Sequence, residues 1–148
     1  MKLFNPNGLV ALNRIFEEAG DVNPVHEHTA LCVNTSLDED RRLWAQLGFK
    51  VVLQVPEIAV FLAPPTGSEI RIELIQRGVT EHEAWVVKTQ AEWNALDRAF
   101  IADSEWEHAP KTFSFDHLWA KMFRHTSTGG VAQFVWRAEP VYEGLFQS

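Results

Sequence analysis

Two histidines open matching stretches of this sequence. His28 begins HTALCV and His82 begins HEAWVV, and both stretches follow the pattern His-x-Ala-x-x-Val-x-Thr-x-x-acid. Imidazole nitrogens bind divalent transition metals, so two histidines repeated within one sequence pattern are candidate metal ligands. The alternative is that both are strand histidines that make hydrogen bonds within a core.

Two later strand-like runs each add a polar side chain to this pattern. Side chains alternate between the two faces of a strand. This alternation places Glu73 on the face that His28 occupies, and Gln133 on the face that His82 occupies, away from the helices. If the two sheets curl toward each other, the four side chains converge and form a nitrogen and oxygen shell for a divalent transition metal. The alternatives are a salt bridge of Glu73 with a nearby arginine and a plain cleft-lining role for Gln133.

The order of predicted elements is the same after each histidine: a strand, a helix and three strands. Each helix begins with a capping box, Ser36-x-x-Glu39 in the first half and Thr89-x-x-Glu92 in the second. We therefore predict an α+β fold in which two βαβββ modules pair into one pseudo-symmetric domain. The predicted boundaries are an N-terminal helical extension at 1–24, modules at 25–80 and 81–140, and a tail at 141–148, all within a single domain of 1–148.

The composition limits the classes of partner. The chain of 148 residues is 46% hydrophobic and 22% charged, as in ordinary globular proteins, and its formal net charge is −7. A negative charge without a basic run argues against nucleic acids and anionic membranes as partners. Cys32 is the single cysteine, so no internal disulfide can form, and the N-terminus lacks the apolar run of a signal peptide or spanning helix. We expect a cytoplasmic protein with a small-molecule ligand.

Several stretches resemble the vicinal oxygen chelate superfamily, which contains glyoxalases, methylmalonyl-CoA epimerases, extradiol dioxygenases and bleomycin resistance proteins. They are HTALCV, LWAQLGF, IRIELIQ and TGGVAQFVW, and the resemblance covers about residues 27–138. It implies two modules around a U-shaped cleft, with metal ligands on the first and fourth strands of each module. The matching positions are His28, Glu73, His82 and Gln133, and the metal would be Zn, Ni, Mn or Fe.

The resemblance also implies a function. The chain would be a glyoxalase-like lyase or isomerase that acts on a small oxygenated molecule through a metal-stabilised enolate. The glyoxalase-like pattern ends on a Glu that transfers the proton, whereas this sequence has Gln133, whose amide takes up no proton at neutral pH. Glu73 is then the predicted catalytic base. The alternatives are a metal-free binding protein like the bleomycin resistance proteins, an iron(II) extradiol-type dioxygenase, and a scaffold whose N-terminal helix binds a partner chain.

Three further residues are predicted to line a substrate cleft. Arg71 alternates onto the same strand face as Glu73, and Trp106 and Trp119 flank an irregular polar loop. Aromatic side chains there could stack on a bound ligand. The resemblance also implies a homodimer, because members of the superfamily often dimerise.

Overall fold

The structure, a computed structural model, describes residues 5–115 and 118–137. It describes the side chains of these residues except those of 110–115. The predicted tail at 141–148 lies outside the described residues. The α+β class and the βαβββ order of both modules are confirmed, with an additional helix before the first module. In the described part of the chain the elements are α1 (Pro6–Ala19), β1 (Val25–Cys32), α2 (Leu37–Gln46), β2 (Lys50–Val55), β3 (Ala59–Ala63), β4 (Ile72–Ile75), β5 (His82–Val87), α3 (Gln90–Ala102), β6 (Trp106–Phe115), β7 (Leu118–His125) and β8 (Val131–Arg137).

The chain divides into two compact units near the predicted module boundary. One unit contains Glu27–Glu81 and is called the first module below. Of the described residues, the other unit contains 5–26 together with those from 82 to 137, and it is called the second module. The N-terminal helix therefore belongs to the second module, although the first module lies between the two in the sequence.

The first module is a four-stranded sheet covered on one face by α2. The strand order is β2-β3-β4-β1, with β1 parallel to β4 and the other neighbours antiparallel. Ser36 caps α2 by accepting a hydrogen bond from the main-chain N–H of Glu39 (3.1 Å), as the capping box predicts. The α2 face of the sheet buries Val33, Val60, Leu62 and Leu74 against Leu37 and Trp44.

The opposite face of the first-module sheet carries its own apolar cluster, which contains Ala30, Leu53, Ala59, Phe61, Ile70 and Ile75. Extended back from Ile72 and Leu74, the two-residue alternation of β4 would put Ile70 on the α2 face. Ile70 instead packs on the opposite face, because β4 begins only at Ile72 and the alternation of a strand does not extend before it.

The second module repeats this plan with strand order β5-β8-β7-β6, in which β5 is parallel to β8. Thr89 caps α3 by accepting from the main-chain N–H of Glu92 (3.1 Å). The α3 face buries the largest core of the described residues, which contains Val87, Trp93, Leu96, Phe100, Phe123, Phe134 and Trp136.

Helix α1 packs against α3 within the second module. Its apolar stripe, Ala11, Leu12 and Ile15, is buried in the same core as the α3 side chains. Arg14 adds ion pairs with Asp103 (2.9 Å) and Glu105 just beyond the end of α3. The alternative in which α1 binds a partner chain would use an exposed apolar stripe on this helix. The stripe of Ala11, Leu12 and Ile15 is instead buried in the core of the second module. No helix in the described ranges is long and apolar enough to cross a membrane.

Candidate functional site

His28 and Glu73 lie side by side in the first module. Strands β1 and β4 pair in parallel with Ala30 opposite Glu73, so the His28 side chain and the Glu73 side chain share the face away from α2. His28 Nε2 is 3.2 Å from Glu73 Oε1. His28 is 3% exposed and the Glu73 side chain 13% exposed. The alternation in the sequence predicted this placement.

Glu27 is a second carboxylate in contact with the His28 ring, and the sequence analysis missed it. Its Oε1 is 2.9 Å from His28 Nδ1. Strand alternation directs neighbouring side chains to opposite faces, which is why Glu27 was not considered. The only signal in the sequence was the acidic residue directly before the histidine, whose side chain is long enough to bend back to its neighbour.

These two carboxylates control the charge of His28. Burial alone would lower the pKa of the imidazole, since it penalises the charged form. Hydrogen bonds with Glu27 and Glu73 outweigh that penalty and raise the pKa to about 9. In the absence of another cation, His28 is therefore an imidazolium between two carboxylates at neutral pH.

The second module places His82 and Gln133 at matching positions. Ala84 is opposite Gln133 in the parallel pair of β5 and β8, which is the register that Ala30 and Glu73 have in the first module. His82 is 4% exposed. Ala132 and Phe134 flank Gln133 and pack with α3, as does Val87 of β5, which alternates onto the face opposite to His82, so His82 and Gln133 occupy the face away from that helix.

Arg71 lies at the edge of the first module and its guanidinium binds the protein's own groups. It donates to the Glu69 carboxylate (2.7 Å) and to the main-chain oxygens of Glu27 (3.3 Å) and Ile70 (3.2 Å). The cleft prediction assumed that Arg71 shares a strand face with Glu73. Arg71 precedes β4 and connects its start to β1, and its role in a substrate cleft stays a prediction.

The two tryptophans predicted to line a cleft lie on the α3 face of the second module. Trp106 is buried in the core, with its ring 5.0 Å from that of Phe100. Trp119 is partly buried and contacts the rings of Trp93 (5.3 Å) and Trp136 (5.6 Å). Both indoles are therefore on the face opposite to His82 and Gln133, whereas the cleft prediction required the same face.

A second histidine–carboxylate pair lies in the second module and was also missed. His26 Nε2 is 2.7 Å from Oε1 of Glu83, whose side chain is fully buried. Burial and the nearby Glu81 carboxylate raise the pKa of the Cys32 thiol, which disfavours the nucleophilic thiolate.

The donor groups of the first module fit a divalent cation. His28 Nε2 and a Glu73 oxygen are ligand atoms of the kinds that hold metal ions, and they already face each other. The second ring nitrogen of His28 is hydrogen-bonded to a carboxylate, an arrangement typical of metal-binding histidines.

Comparison with known proteins gives structural similarity only. No family model and no curated protein matches the sequence. A variant of homoprotocatechuate 2,3-dioxygenase from B. fuscum matches with a TM-score of 0.60 at 17% identity, over 80% of this chain and 33% of that chain. Methylmalonyl-CoA epimerase from Mycobacterium tuberculosis matches with a TM-score of 0.54 at 14% identity, over 80% of this chain and 91% of that chain.

This chain spans about a third of the length of the dioxygenase chain that it matches. At such low identity the similarity establishes the fold alone. The chain has the vicinal oxygen chelate fold, as the sequence resemblance predicted.

Proposed function

We propose that this chain is a glyoxalase-like, divalent-metal-dependent lyase or isomerase that acts on a small oxygenated molecule. His28 and Glu73 of the first module, and His82 and Gln133 of the second, would supply the metal ligands. The proposal depends above all on the 3.2 Å approach of His28 Nε2 to Glu73 Oε1 on the sheet face away from α2. The matching register of Gln133 with Ala84 in the second module supports it.

A divalent metal, when bound, would act as a Lewis acid that polarises an oxygen of the substrate. The chain's own residues would hold the ligand atoms in place before the metal binds. The His28 ring lies edge-on to Phe61, with ring centroids 5.8 Å apart, and the Glu73 position is directly opposite Phe61 in the β3–β4 pair. Phe61 and the low exposure of both side chains reduce the contact of the donors with water, which strengthens their interaction with charge.

Glu73 is the proposed base. Its carboxylate would take the proton from the hydroxyl-bearing carbon next to the substrate's carbonyl and return it to the carbonyl carbon, while the hydroxyl proton moves to the former carbonyl oxygen, so that the isomerisation has no net gain or loss of protons. Gln133, at the equivalent position of the second module, accepts hydrogen bonds through its amide oxygen and takes up no proton. Because the Glu73 carboxylate can take up a proton and the Gln133 amide cannot, we assign the proton transfer to the first module.

Metal analysis of protein purified without chelator tests the proposal. We expect close to one divalent ion per chain, and a loss of that ion in both His28→Ala and His82→Ala. Glu39→Gln is the matched control, because Glu39 is an exposed acidic residue on α2 of the first module. A folded wild-type protein that neither contains nor takes up Zn, Ni, Mn or Fe would contradict the proposal.

One observation favours a second candidate, a metal-free protein that binds a small ligand as the bleomycin resistance proteins do. The His28 imidazolium offsets one of the two negative charges of Glu27 and Glu73 without any added cation. The same metal analysis separates the two candidates.

The third candidate is an iron(II) dioxygenase, in which His28, His82 and the Glu73 carboxylate would hold the iron. It requires iron in an anaerobic preparation and oxygen-dependent turnover.

We also propose a homodimer. Large apolar side chains are exposed on α2, β2 and the following turn of the first module, namely Leu43, Leu47, Val51, Val52 and Ile58. Exposed apolar surface of this kind is typical of protein interfaces. Light scattering after size-exclusion chromatography checks it, and a monomer at micromolar concentration would contradict it.

The free Cys32 thiol suits the reducing cytoplasm, where we place the protein.

A further inference from the structure

The His28 ring has a carboxylate at each nitrogen. Glu27 Oε1 is 2.9 Å from Nδ1, and Glu73 Oε1 is 3.2 Å from Nε2. Phe61 contacts the ring edge-on, at an interplanar angle of 90°. Contacts with Glu27, Glu73 and Phe61 thus fix the orientation of the imidazole. Of the two carboxylates, Glu73 belongs to the proposed set of metal ligands and Glu27 does not.

We propose that Glu27 is a positioning residue for His28, an inference that rests on the proposed function. The Glu27 carboxylate accepts a hydrogen bond from Nδ1–H, so Nε2 is the nitrogen that faces Glu73 and would bind a metal. A carboxylate in this role determines both the tautomer and the orientation of a metal-binding histidine. Glu27 touches neither metal nor substrate and acts through the ring.

The Glu27 main chain is itself held in place. Its carbonyl oxygen accepts a hydrogen bond from the Arg71 guanidinium (3.3 Å), and the Arg71 carbonyl accepts one from the N–H of Thr29 (3.0 Å). Arg71 thus bonds to the main chain on both sides of His28. The Glu27 side chain is only 13% exposed, so water competes little for its carboxylate. A supporting residue is effective when its own position is fixed in this way.

The dipeptide Glu-His occurs again at Glu81-His82, but there the carboxylate has a different partner. Glu81 Oε2 accepts a hydrogen bond from the main-chain N–H of Cys32 (3.0 Å), at the end of β1. The role of Glu27 therefore follows from its position at the start of β1 rather than from the dipeptide itself.

Two conservative variants separate positioning from simple charge. Glu27→Gln keeps the length and a hydrogen-bond acceptor, whereas Glu27→Asp keeps the charge but shortens the reach. We measure Zn²⁺ affinity by competition with a chelator, with Glu39→Gln as the control for the loss of one acidic charge. Glu27→Asp should bind Zn²⁺ at least about ten-fold more weakly than the wild type. Glu27→Gln should stay much closer to the wild type, and the control should match it.

The ring itself provides a second readout that needs neither turnover nor metal. In ¹H–¹⁵N spectra of the wild type, the His28 Nδ1 proton should give a slowly exchanging, hydrogen-bonded signal. Glu27→Asp should lose it and Glu27→Gln should retain it. Wild-type affinity and an unchanged ring signal in Glu27→Asp would overturn the inference, as would an equal loss in both variants.

The failure of this inference is distinguishable from that of the proposed function. If the wild type binds no Zn²⁺, the proposed function fails, and the ring spectrum of the metal-free protein still decides whether Glu27 positions His28. If the wild type binds Zn²⁺ and Glu27→Asp behaves like it in both measurements, the proposed function stands and the positioning role is excluded.

Discussion

The imidazole of His28 faces the carboxylate of Glu73 across two parallel strands, with Nε2 and Oε1 3.2 Å apart. Both side chains are nearly buried on the sheet face away from α2. A buried ionisable pair of this kind costs free energy in desolvation, so the pair is a candidate functional feature.

The first prediction concerns Glu73 as the base. Glu73→Gln should reduce turnover of α-hydroxy carbonyl or thiohemiacetal substrates by at least about a hundred-fold, because the amide cannot accept the proton. The variant keeps the shape of the side chain, so its circular dichroism spectrum and melting temperature should show a folded protein. The measurement is the initial rate across a panel of such substrates, and Glu39→Gln is the control. A folded Glu73→Gln protein with wild-type kcat would reject the role.

The second prediction uses the matching registers of the two modules. Gln133→Glu places a carboxylate opposite Ala84, as Glu73 stands opposite Ala30. A full negative charge near a divalent ion should strengthen Zn²⁺ binding by about ten-fold or more, equivalent to about 1.4 kcal/mol. Chelator competition measures the affinity, and weaker binding than in the wild type would count against Gln133 as a ligand.

The same register allows a test by exchange. The double variant Glu73→Gln with Gln133→Glu moves the only carboxylate of this pair to the second module. We expect it to recover part of the activity that Glu73→Gln loses, since the base returns at the equivalent position. The comparison of kcat between the single and double variants checks this, and no recovery would show that the two positions are not functionally equivalent.

The third prediction concerns pH and the stability of the metal-free protein. The pKa of His28 is raised from its ordinary 6.5 to about 9 in the folded chain, so protonated His28 stabilises the fold. A raised pKa gives stability that is fully present below about pH 6.5 and is lost as the pH rises to about 9. The contribution is on the order of 3 kcal/mol. Urea unfolding between pH 6 and pH 9.5 measures it.

The control for this pH dependence is His28→Asn, which cannot titrate in this range. Its free energy of unfolding should change less between these pH values than that of the wild type. Equal pH dependence in both proteins would mean that other groups are responsible.

The fourth prediction concerns helix α1. Ile15 is fully buried against the α3 core, whereas Val10 on the same helix is 70% exposed. Ile15→Ala should lower the free energy of unfolding by about 2–5 kcal/mol, because it leaves a cavity. Val10→Ala removes apolar atoms from the same helix without a cavity and should change it little. Thermal and urea unfolding of both variants check this, and equal effects would contradict the docking of α1 on α3.

Local patterns predicted much of the fold. The two capping boxes at Ser36 and Thr89 mark the starts of α2 and α3, because capping depends on residues three apart in the sequence. The repeated His-x-Ala opening and the alternation in β1 and β8 placed His28 and Gln133 on the correct strand faces. These features depend only on neighbours in the sequence and on the two-residue period of a strand.

Other placements were wrong where an element boundary or a distant partner decides them. Extending the alternation of β4 back from Ile72 would put Ile70 on the α2 face, although the strand begins at Ile72 and Ile70 packs on the opposite face. Trp106 and Trp119 were assigned to a ligand cleft from their position near a loop. Their actual face follows from the pairing of β6 and β7 and from packing on α3, which the sequence does not show.

By itself, the sequence therefore determined the order of elements, the doubling of the βαβββ unit and the candidate donor types, because periodicity and capping are properties of short segments. Only the tertiary structure decided that α1 completes the second-module core and that Glu27 reaches back to His28 Nδ1. Both facts depend on which surfaces and side chains come within contact distance once the chain is folded, and no local pattern encodes such a distance.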